Sequence, residues 1–456
     1  MMYNYACNPK KLKGETMELI IDLINGNLLE AQGSGLYAFV YYFTNILHIL
    51  FFLFYIHQIV YMIVGTVKHK KMDNYTPRNL AKMGIVISAR NESRVIGNLI
   101  KSIKESRYPA DRYEIFVIAD NCTDNTADVC RELGCIVFER KDEEHVGKGY
   151  ALNYLFTKLH SDKHRASYLP DAYIVLDADN LIKPDYIFEM NKVYDRGFEM
   201  ITSYRNSKNI GKNWISAGYG YWFMHEARHL NNSRMQLGTS CAISGTGFLI
   251  SRRLVERYDD WSFFTLTEDI QCSTTYALDG GRVGYCPTAE FFDEQPETLR
   301  QSYRQRERWA KGFYQVFARY GTSLLRGAFK KFACYDVLTT IFPALMITLT
   351  LFVSLPIVTA IGFAVGDAAL VVYAGSTFFK SILKYYLIML IMSTLVVITE
   401  RKKIHCTTKK KILHIFTFPF FMFTYIPISV SALFKKVKWK PIYHSADVSL
   451  SDVIGE

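Results

Sequence analysis

Tyr173-Ile174-Val175-Leu176-Asp177-Ala178-Asp179 is a short apolar run that stops at two acids spaced i, i+2. Read as a strand, that spacing sets both carboxylates on one face. In a chain that alternates strands and helices, the end of a buried strand opens on the ligand crevice of an α/β sheet. Two hard oxygen donors there suit a Mg²⁺ or Mn²⁺ ion that also holds a diphosphate. The rival reading is a solvated strand end, or a turn in which Asp caps a helix. The Asp-x-Asp pair alone does not choose between them; its partners along the chain do.

Upstream, Gly84–Ser88, Tyr113–Ala119 and Cys135–Phe138 read as strands, and Ala172–Leu176 as the fourth. Arg94–Lys104, Thr126–Leu133 and Gly147–Leu159 read as helices between them, the first from Val95, Ile96, Leu99, Ile100 and Ile103 at helical spacing. This rhythm predicts a largely parallel sheet covered on both faces. Downstream, Met200–Tyr204, Cys241–Ser244 and Arg282–Tyr285 are expected as later strands, and Trp214–Asn231 as a long helix.

Further out the chain becomes a membrane protein. Of its 456 residues 50% are apolar and 15% aromatic, and 54 basic against 43 acidic residues leave a net charge of +11. The surplus sits beside apolar runs, at Lys68–Lys71, Lys330-Lys331, Arg401–Lys403, Lys409–Lys411 and Lys435-Lys436, as on the cytoplasmic flanks of membrane spans. Nucleic-acid binding is excluded as a reading, because the aromatics lie in the apolar runs and no binding motif accompanies the charge. The nine cysteines show no CxxC pair, which fits reduced thiols in a cytosolic compartment. Met17–Ala31 is read as a short amphipathic helix. Leu36–Val64 is long enough to span. Val337–Val365, Ala368–Thr399 and Ile412–Phe434 are further apolar runs, broken by Pro343 and Pro356, by Lys380 and Lys384, and by Pro419 and Pro427. The expected organisation is a segment 1–35, a span 36–66, an α/β domain 80–298, interface helices 299–333, C-terminal spans 334–434 and a basic tail 435–456.

Within the α/β part, Ser88-Ala89-Arg90-Asn91-Glu92 follows strand one and Ile118-Ala119-Asp120-Asn121-Cys122 follows strand two. After the Asp177/Asp179 pair come Thr267-Glu268-Asp269 and Gln305-Arg306-Glu307-Arg308-Trp309. In that order, ahead of C-terminal apolar runs, the set resembles the membrane-embedded family-two glycosyltransferases, the group of the cellulose, chitin, hyaluronan and poly-N-acetylglucosamine synthases. The likeness covers roughly residues 84 to 320. It implies a GT-A, Rossmann-like mixed sheet with helices on both faces, flanked by transmembrane helices, and an inverting transfer from a UDP-sugar. By that resemblance Glu92 and Asp120 contact the uridine, Lys148 approaches the nucleotide, Asp177 lies near the diphosphate and Asp179, with Asp177, holds Mg²⁺ or Mn²⁺. Asp269, beside Glu268, is the general base; Gln305, Arg308 and Trp309 hold the diphosphate and the acceptor sugar. Two positions depart from the family pattern: Ser88 stands where Pro is usual, and Ala119-Asp120-Asn121-Cys122 where Asp-Asp-Gly-Ser is common.

The chemistry of the residues agrees with these roles. An inverting displacement at an anomeric carbon needs one base for the acceptor's proton and no protein nucleophile. The departing diphosphate needs a cation and an arginine fork. Each residue keeps its rival reading: Glu92 and Asp124 as N-caps or first-turn acids of a helix, preferred for Asp124; Lys148 as a solvated helix-start charge; Glu268-Asp269 as a cap pair; Trp309 as an interfacial anchor. Gly245-Thr246-Gly247 is expected as a tight turn, and His145 and His225 as structural. The leading expectation is a processive synthase in the plasma membrane, its catalytic domain cytoplasmic, exporting a β-linked polymer, with membrane lipids and an accessory export subunit as partners. The alternatives are transfer to a lipid such as a ceramide, diacylglycerol or polyprenyl phosphate, and a catalytically silent membrane subunit.

Overall fold

A computed structural model describes residues 35–67, 75–162, 169–342, 352–437 and 447–455. The amphipathic helix expected over Met17–Ala31, the Lys68–Lys71 cluster, Pro343 and part of the basic tail lie outside them.

The sheet has eight strands: β1 Met83–Ala89, β2 Tyr113–Asp120, β3 Ile136–Arg140, β4 Ala172–Asp177, β5 Leu181–Ile182, β6 Met200–Ser207, β7 Phe248–Ser251 and β8 Gly284–Asp293. Their spatial order is β3-β2-β1-β4-β7-β6-β8-β5. The β3-β2-β1-β4 half is parallel; β7 runs antiparallel to β4 and β6, and β5 antiparallel to β8, so the sheet is mixed. The parallel half joins through helices Ile96–Lys104, Thr126–Glu132 and Lys148–Ser161. Near-continuous Val/Ile runs in β1, β2 and β4 are what a sheet buried on both faces requires, and Ile85, Ile87, Val117, Ile174 and Leu176 are fully buried in one cluster with Leu99, Ile100 and Met190.

Three sequence expectations are corrected. Cys241–Ser244 is not a strand; the Cys241 N–H is taken by the Val283 carbonyl and the Ile243 N–H by the Ser273 hydroxyl, while the ladder passes to β7. Trp214–Asn231 is an α-helix only to His225; Glu226–Asn231 is a π-helix, and Asn232–Leu237 returns to α. Asp179 does not extend β4: the strand ends at Asp177, so the two acids do not share a strand face.

Two compact units divide the chain, residues 1–56 with 345–388 and residues 57–344 with 389–456. In the first, Tyr373 packs its ring against Tyr37 and Tyr41 at centroid separations of 5.6 and 5.3 Å. The second contains the sheet and the helix Leu299–Ala328, followed by Phe332–Ile341. Among the described residues three helices are long and apolar enough to cross a membrane: Gly35–Val67, Ala368–Glu400 and Thr408–Phe434. Ala368–Glu400 runs unbroken through Lys380 and Lys384, which interrupt its apolar run in sequence but not its helix. The helix Thr408–Phe434 is interrupted at Thr424, between Pro419 and Pro427, which a proline-interrupted hydrogen-bond ladder explains.

Candidate active site

Register aligns the strand ends. Ser88 of β1 lies opposite Ile118 of β2 and Asp177 of β4, so the loops after these three strands leave the same edge. Asn91 and Asn121 both have positive φ, 60° and 54°, turning the chain sharply at the first two exits. The Asn91 carboxamide oxygen accepts from the Thr123 N–H at 2.7 Å and ties the loops together. Glu92 is half-buried, and its N–H donates to the Thr126 hydroxyl. The Asp124 carboxylate accepts from the Thr126 and Ser93 N–H groups, at 3.1 and 3.3 Å, but it stands one residue before the N-cap Asn125 of helix Thr126–Glu132, so it is neither the cap nor the first-turn acid expected.

Asp120 is 4% exposed and does not stand alone. The Arg140 guanidinium, at the end of β3, pairs with it at 2.7 Å and also reaches Asp142 and the His145 carbonyl. Burial still raises the Asp120 carboxyl above its usual range, against the lowering pull of Arg140 and Arg90.

The second cluster is built differently. Lys148 opens its helix after Gly147, whose φ of 141° suits glycine alone. A Cβ on Gly149 would meet the Phe263 carbonyl oxygen at 2.2 Å, so that glycine lets the helix start lie against the segment leading to Glu268. The Lys148 ammonium ion pairs with Asp177 and donates to the Gly245 carbonyl at 2.8 Å. Gly245 and Gly247 have φ of 73° and 66°, the tight turn expected of Gly245-Thr246-Gly247. The Thr246 hydroxyl accepts from the Asp177 N–H at 2.9 Å. From the other side the Gly245 N–H donates to the Asp269 carboxylate. Lys148, Asp177, Gly245 and Asp269 are therefore joined by direct bonds.

Glu268 and Asp269 occupy the first turn of helix Glu268–Leu278, both buried. Burial, reinforced by the charge of Asp269, pushes the Glu268 carboxyl up to about 7, with Lys148 and Arg308 opposing. Asp269 is also raised by burial, against the Ile270 and Gly245 N–H groups, Lys148 and Arg308. Gln305, Arg308 and Trp309 follow one another at i, i+3, i+4 on helix Leu299–Ala328. A Cβ on Gly312 would lie 2.5 Å from the Thr267 side chain, so this helix presses directly on the residue before Glu268. Trp309 stands edge-on to Tyr219 and Phe223, at 5.8 and 6.3 Å between centroids. The Gln305 carbonyl oxygen is buried with no partner among the described residues.

Asp179 accepts from the Glu294 N–H at 3.0 Å and from the Asn180 amide. Asp293, at the end of β8, is gripped by Arg205 and pushed up to about 6 by burial, with Asp179 and Asp177 adding to the rise. Arg205 lies 3.6 Å from the centre of the Phe223 ring and donates to the Ser244 carbonyl. Glu226, first residue of the π-helix, accepts from the Ser244 hydroxyl at 3.3 Å and lines, with Arg205 and Thr246, a cavity of about 10 Å³, room for one water.

Sequence reasoning missed Arg140, Arg205, Glu226 and Asp293. Only Asp293 carried a signal, since Phe291-Phe292-Asp293 repeats the apolar run closed by an acid that marked Asp177.

A family described as Glycosyltransferase like family 2 matches residues 81–312, just over half of the chain. The beta-monoglucosyldiacylglycerol synthase of Nostoc is 24% identical over 271 residues, 57% of this chain and 55% of that protein. The poly-beta-1,6-N-acetyl-D-glucosamine synthase of Staphylococcus aureus is 27% identical over 288 residues, 59% of this chain and 66% of that one. The chain spans about half the length of the curated relatives it matches. Among solved structures, the mannosyltransferase PcManGT of Pyrobaculum calidifontis superposes with a TM-score of 0.54 at 15% identity, covering 86% of this chain and 99% of that one, a likeness of fold.

Proposed function

This chain belongs to glycosyltransferase like family 2, and from that membership we propose that it moves a sugar from a UDP-sugar, with inversion, to a hydroxyl of a growing β-linked polysaccharide. The observation that carries this reading is the bonded cluster of Asp269, Gly245, Lys148 and Asp177, set beneath a helix that bears Gln305, Arg308 and Trp309. In the proposed step the acceptor oxygen attacks the anomeric carbon. The bond from that carbon to the diphosphate breaks, and the acceptor's proton passes to the Asp269 carboxylate. Burial raises its affinity for a proton, which is what the role of base requires. Lys148 and Arg308 balance the charge of UDP as it leaves.

Asp177 and Asp179 would hold the divalent ion. Among the described residues no group of three His, Cys, Asp or Glu side chains is arranged to cage a metal. That donor count fits Mg²⁺ or Mn²⁺ in a site of one or two carboxylates completed by substrate phosphates and water. The crowding of Asp293 by Asp179 and Asp177 is the kind of repulsion such an ion relieves. When bound, it supplies charge for the departing diphosphate. Glu92 and Asp120 are assigned to the uridine.

Processive synthesis is favoured by what lies behind Trp309. Arg306 of the same helix is fully buried; it donates to the Phe421 carbonyl at 3.1 Å and lies 4.3 and 4.7 Å from the Phe421 and Tyr425 rings. Lys311 and Tyr314 donate to the carbonyls of Ala432 and Ser429. The helix proposed to carry the acceptor is thus bonded to the last apolar helices, where an exported polymer would pass. The second reading, transfer to a lipid, draws on the likeness to the Nostoc synthase, named for a glucosyldiacylglycerol product. Membranes given radiolabelled UDP-sugars and Mn²⁺ separate the two. High-molecular-weight label lost in Asp269→Asn supports the polymer, and label confined to a small glycolipid in the organic phase overturns it. The basic flanks of the apolar helices support a catalytic domain at the cytoplasmic face of the plasma membrane.

A further inference from the structure

Helix Glu268–Leu278 has the two acids in its first turn and a second cavity beyond its last. At 1.5 Å per residue the two ends are roughly 16 Å apart, so this cavity is separate from the proposed transfer site. It holds about 600 Å³, within the usual size of a small-molecule pocket. Its walls come from His57, Val60 and Tyr61 of the first apolar helix, from the loop at Leu237–Ser240, from Ala277 with Gly280–Arg282, and from Lys331–Ala333. Most of that lining is apolar, and Val60, Leu237 and Phe332 are each nearly half exposed at its edge.

Two polar atoms in this lining have no partner among the described residues: His57 Nδ1 and Thr239 Oγ1, both buried. His57 is 8% exposed, and its other ring nitrogen already faces Gln58, Thr339 and Asp336. Leaving such atoms buried and unpaired is unfavourable, which makes a ligand that bonds to them favourable. Two cations, Arg282 and Lys331, also line the cavity, and among the described residues no acid does. Part of their capacity is used: Arg282 donates to the Thr239 and Met235 carbonyls, and Lys331 to Leu278 at 3.3 Å. Both keep further donors. Asp336, behind the wall, is already paired with Arg234 and Tyr61.

We propose that this cavity binds one acidic glycerophospholipid from the surrounding leaflet. Its phosphate lies by Arg282 and Lys331, its acyl chains leave over Val60, Leu237 and Phe332, and its headgroup oxygens bond to His57 and Thr239. A hydroxylated headgroup matches the pair best, since His57 Nδ1 can accept while the ring's other nitrogen donates inward. A zwitterionic choline lipid brings no hydroxyl and a cation that Arg282 and Lys331 repel.

The test is native mass spectrometry of the full chain in detergent, titrated with phosphatidylglycerol or phosphatidylcholine. A single phosphatidylglycerol retained about tenfold more tightly than phosphatidylcholine is expected, and Lys331→Gln and Thr239→Val should each weaken it several-fold. Ala333→Trp, which fills the cavity, should abolish retention while the unfolding temperature measured without lipid and UDP release stay near wild type. Soluble glycerol phosphate should not compete. Equal retention of the two lipids, retention unchanged in Ala333→Trp, or displacement by glycerol phosphate would each overturn the proposal.

Discussion

Two regions at the same sheet edge handle buried carboxylates differently. After β2, burial raises the Asp120 carboxyl too, but Asp120 is held in a direct ion pair by Arg140, which also pairs with Asp142, and Asn121 adds an amide bond. At the start of helix Glu268–Leu278, two adjacent buried acids have no direct ion pair among the described residues: burial raises both, Lys148 and Arg308 oppose without cancelling it, and the charge of Asp269 helps carry Glu268 to about 7. A carboxylate with its own arginine organises a loop. One left short of positive charge is ready to take a proton, the condition for a general base. The contrast separates residues that shape the nucleotide side from those proposed to do the chemistry.

The largest effect should come from the undercompensated side. Asp269→Asn keeps shape and removes the base, and is expected to cut transfer about 10³-fold with little change in donor KM. An equal rise in KM would mean that Asp269 binds rather than reacts, and the contrast would break. Next is the metal: EDTA, or Asp179→Asn, should lower the rate about 10²-fold, with Mn²⁺ restoring the chelated wild type but not the variant.

On the compensated side the expected loss is stability. Arg140→Met strands Asp120 with 4% exposure, and breaking a buried pair by removing one partner costs about 3–5 kcal/mol. Urea denaturation should show that loss. A midpoint unchanged from wild type would show that the pair organises nothing.

The parallel half of the sheet was readable because each strand is a Val/Ile run followed by a helix of regular apolar period, a pattern local to the segment. β7 was misplaced because Cys241–Ser244 and Phe248–Ser251 are both short and apolar. Only the fold tells that the first bonds to Val283 and Ser273 while the second joins β4. The π-helix at Glu226 passed for α because widening one turn leaves the residue types unchanged. Asp120 and Asp177 announced themselves by closing apolar runs, the mark that Asp293 also carries. Their partners did not: Arg140 and Arg205 are single basic residues in strands, and nothing near them in sequence names Asp120 or Asp293. Asp179 was singled out for a reason that failed, since it sits in the turn after β4 rather than on the strand's face.

Glu268→Gln gives the smallest effect and the sharpest form of the contrast, because it should move stability and rate in separable ways. The Glu268 carboxyl sits at about 7 in the folded chain against an ordinary value of 4.5. The folded state therefore holds more protons between those values, and stability falls as pH rises through that window. Above 7 the ionised group is a standing cost, which the neutral amide removes. The substitution should thus leave the protein a few degrees more stable in thermal unfolding at pH 8, with the gain shrinking to nothing by about pH 4. Asp269 loses a like-charged neighbour at the same time, so its proton affinity drops and the acidic limb of the rate profile should move to lower pH. A variant stabilised at pH 8 with an unmoved limb would separate Glu268 from the base. A variant destabilised at every pH would mean that the Glu268 carboxylate is held by its surroundings as firmly as Asp120 is by Arg140, and the two regions would no longer differ in kind.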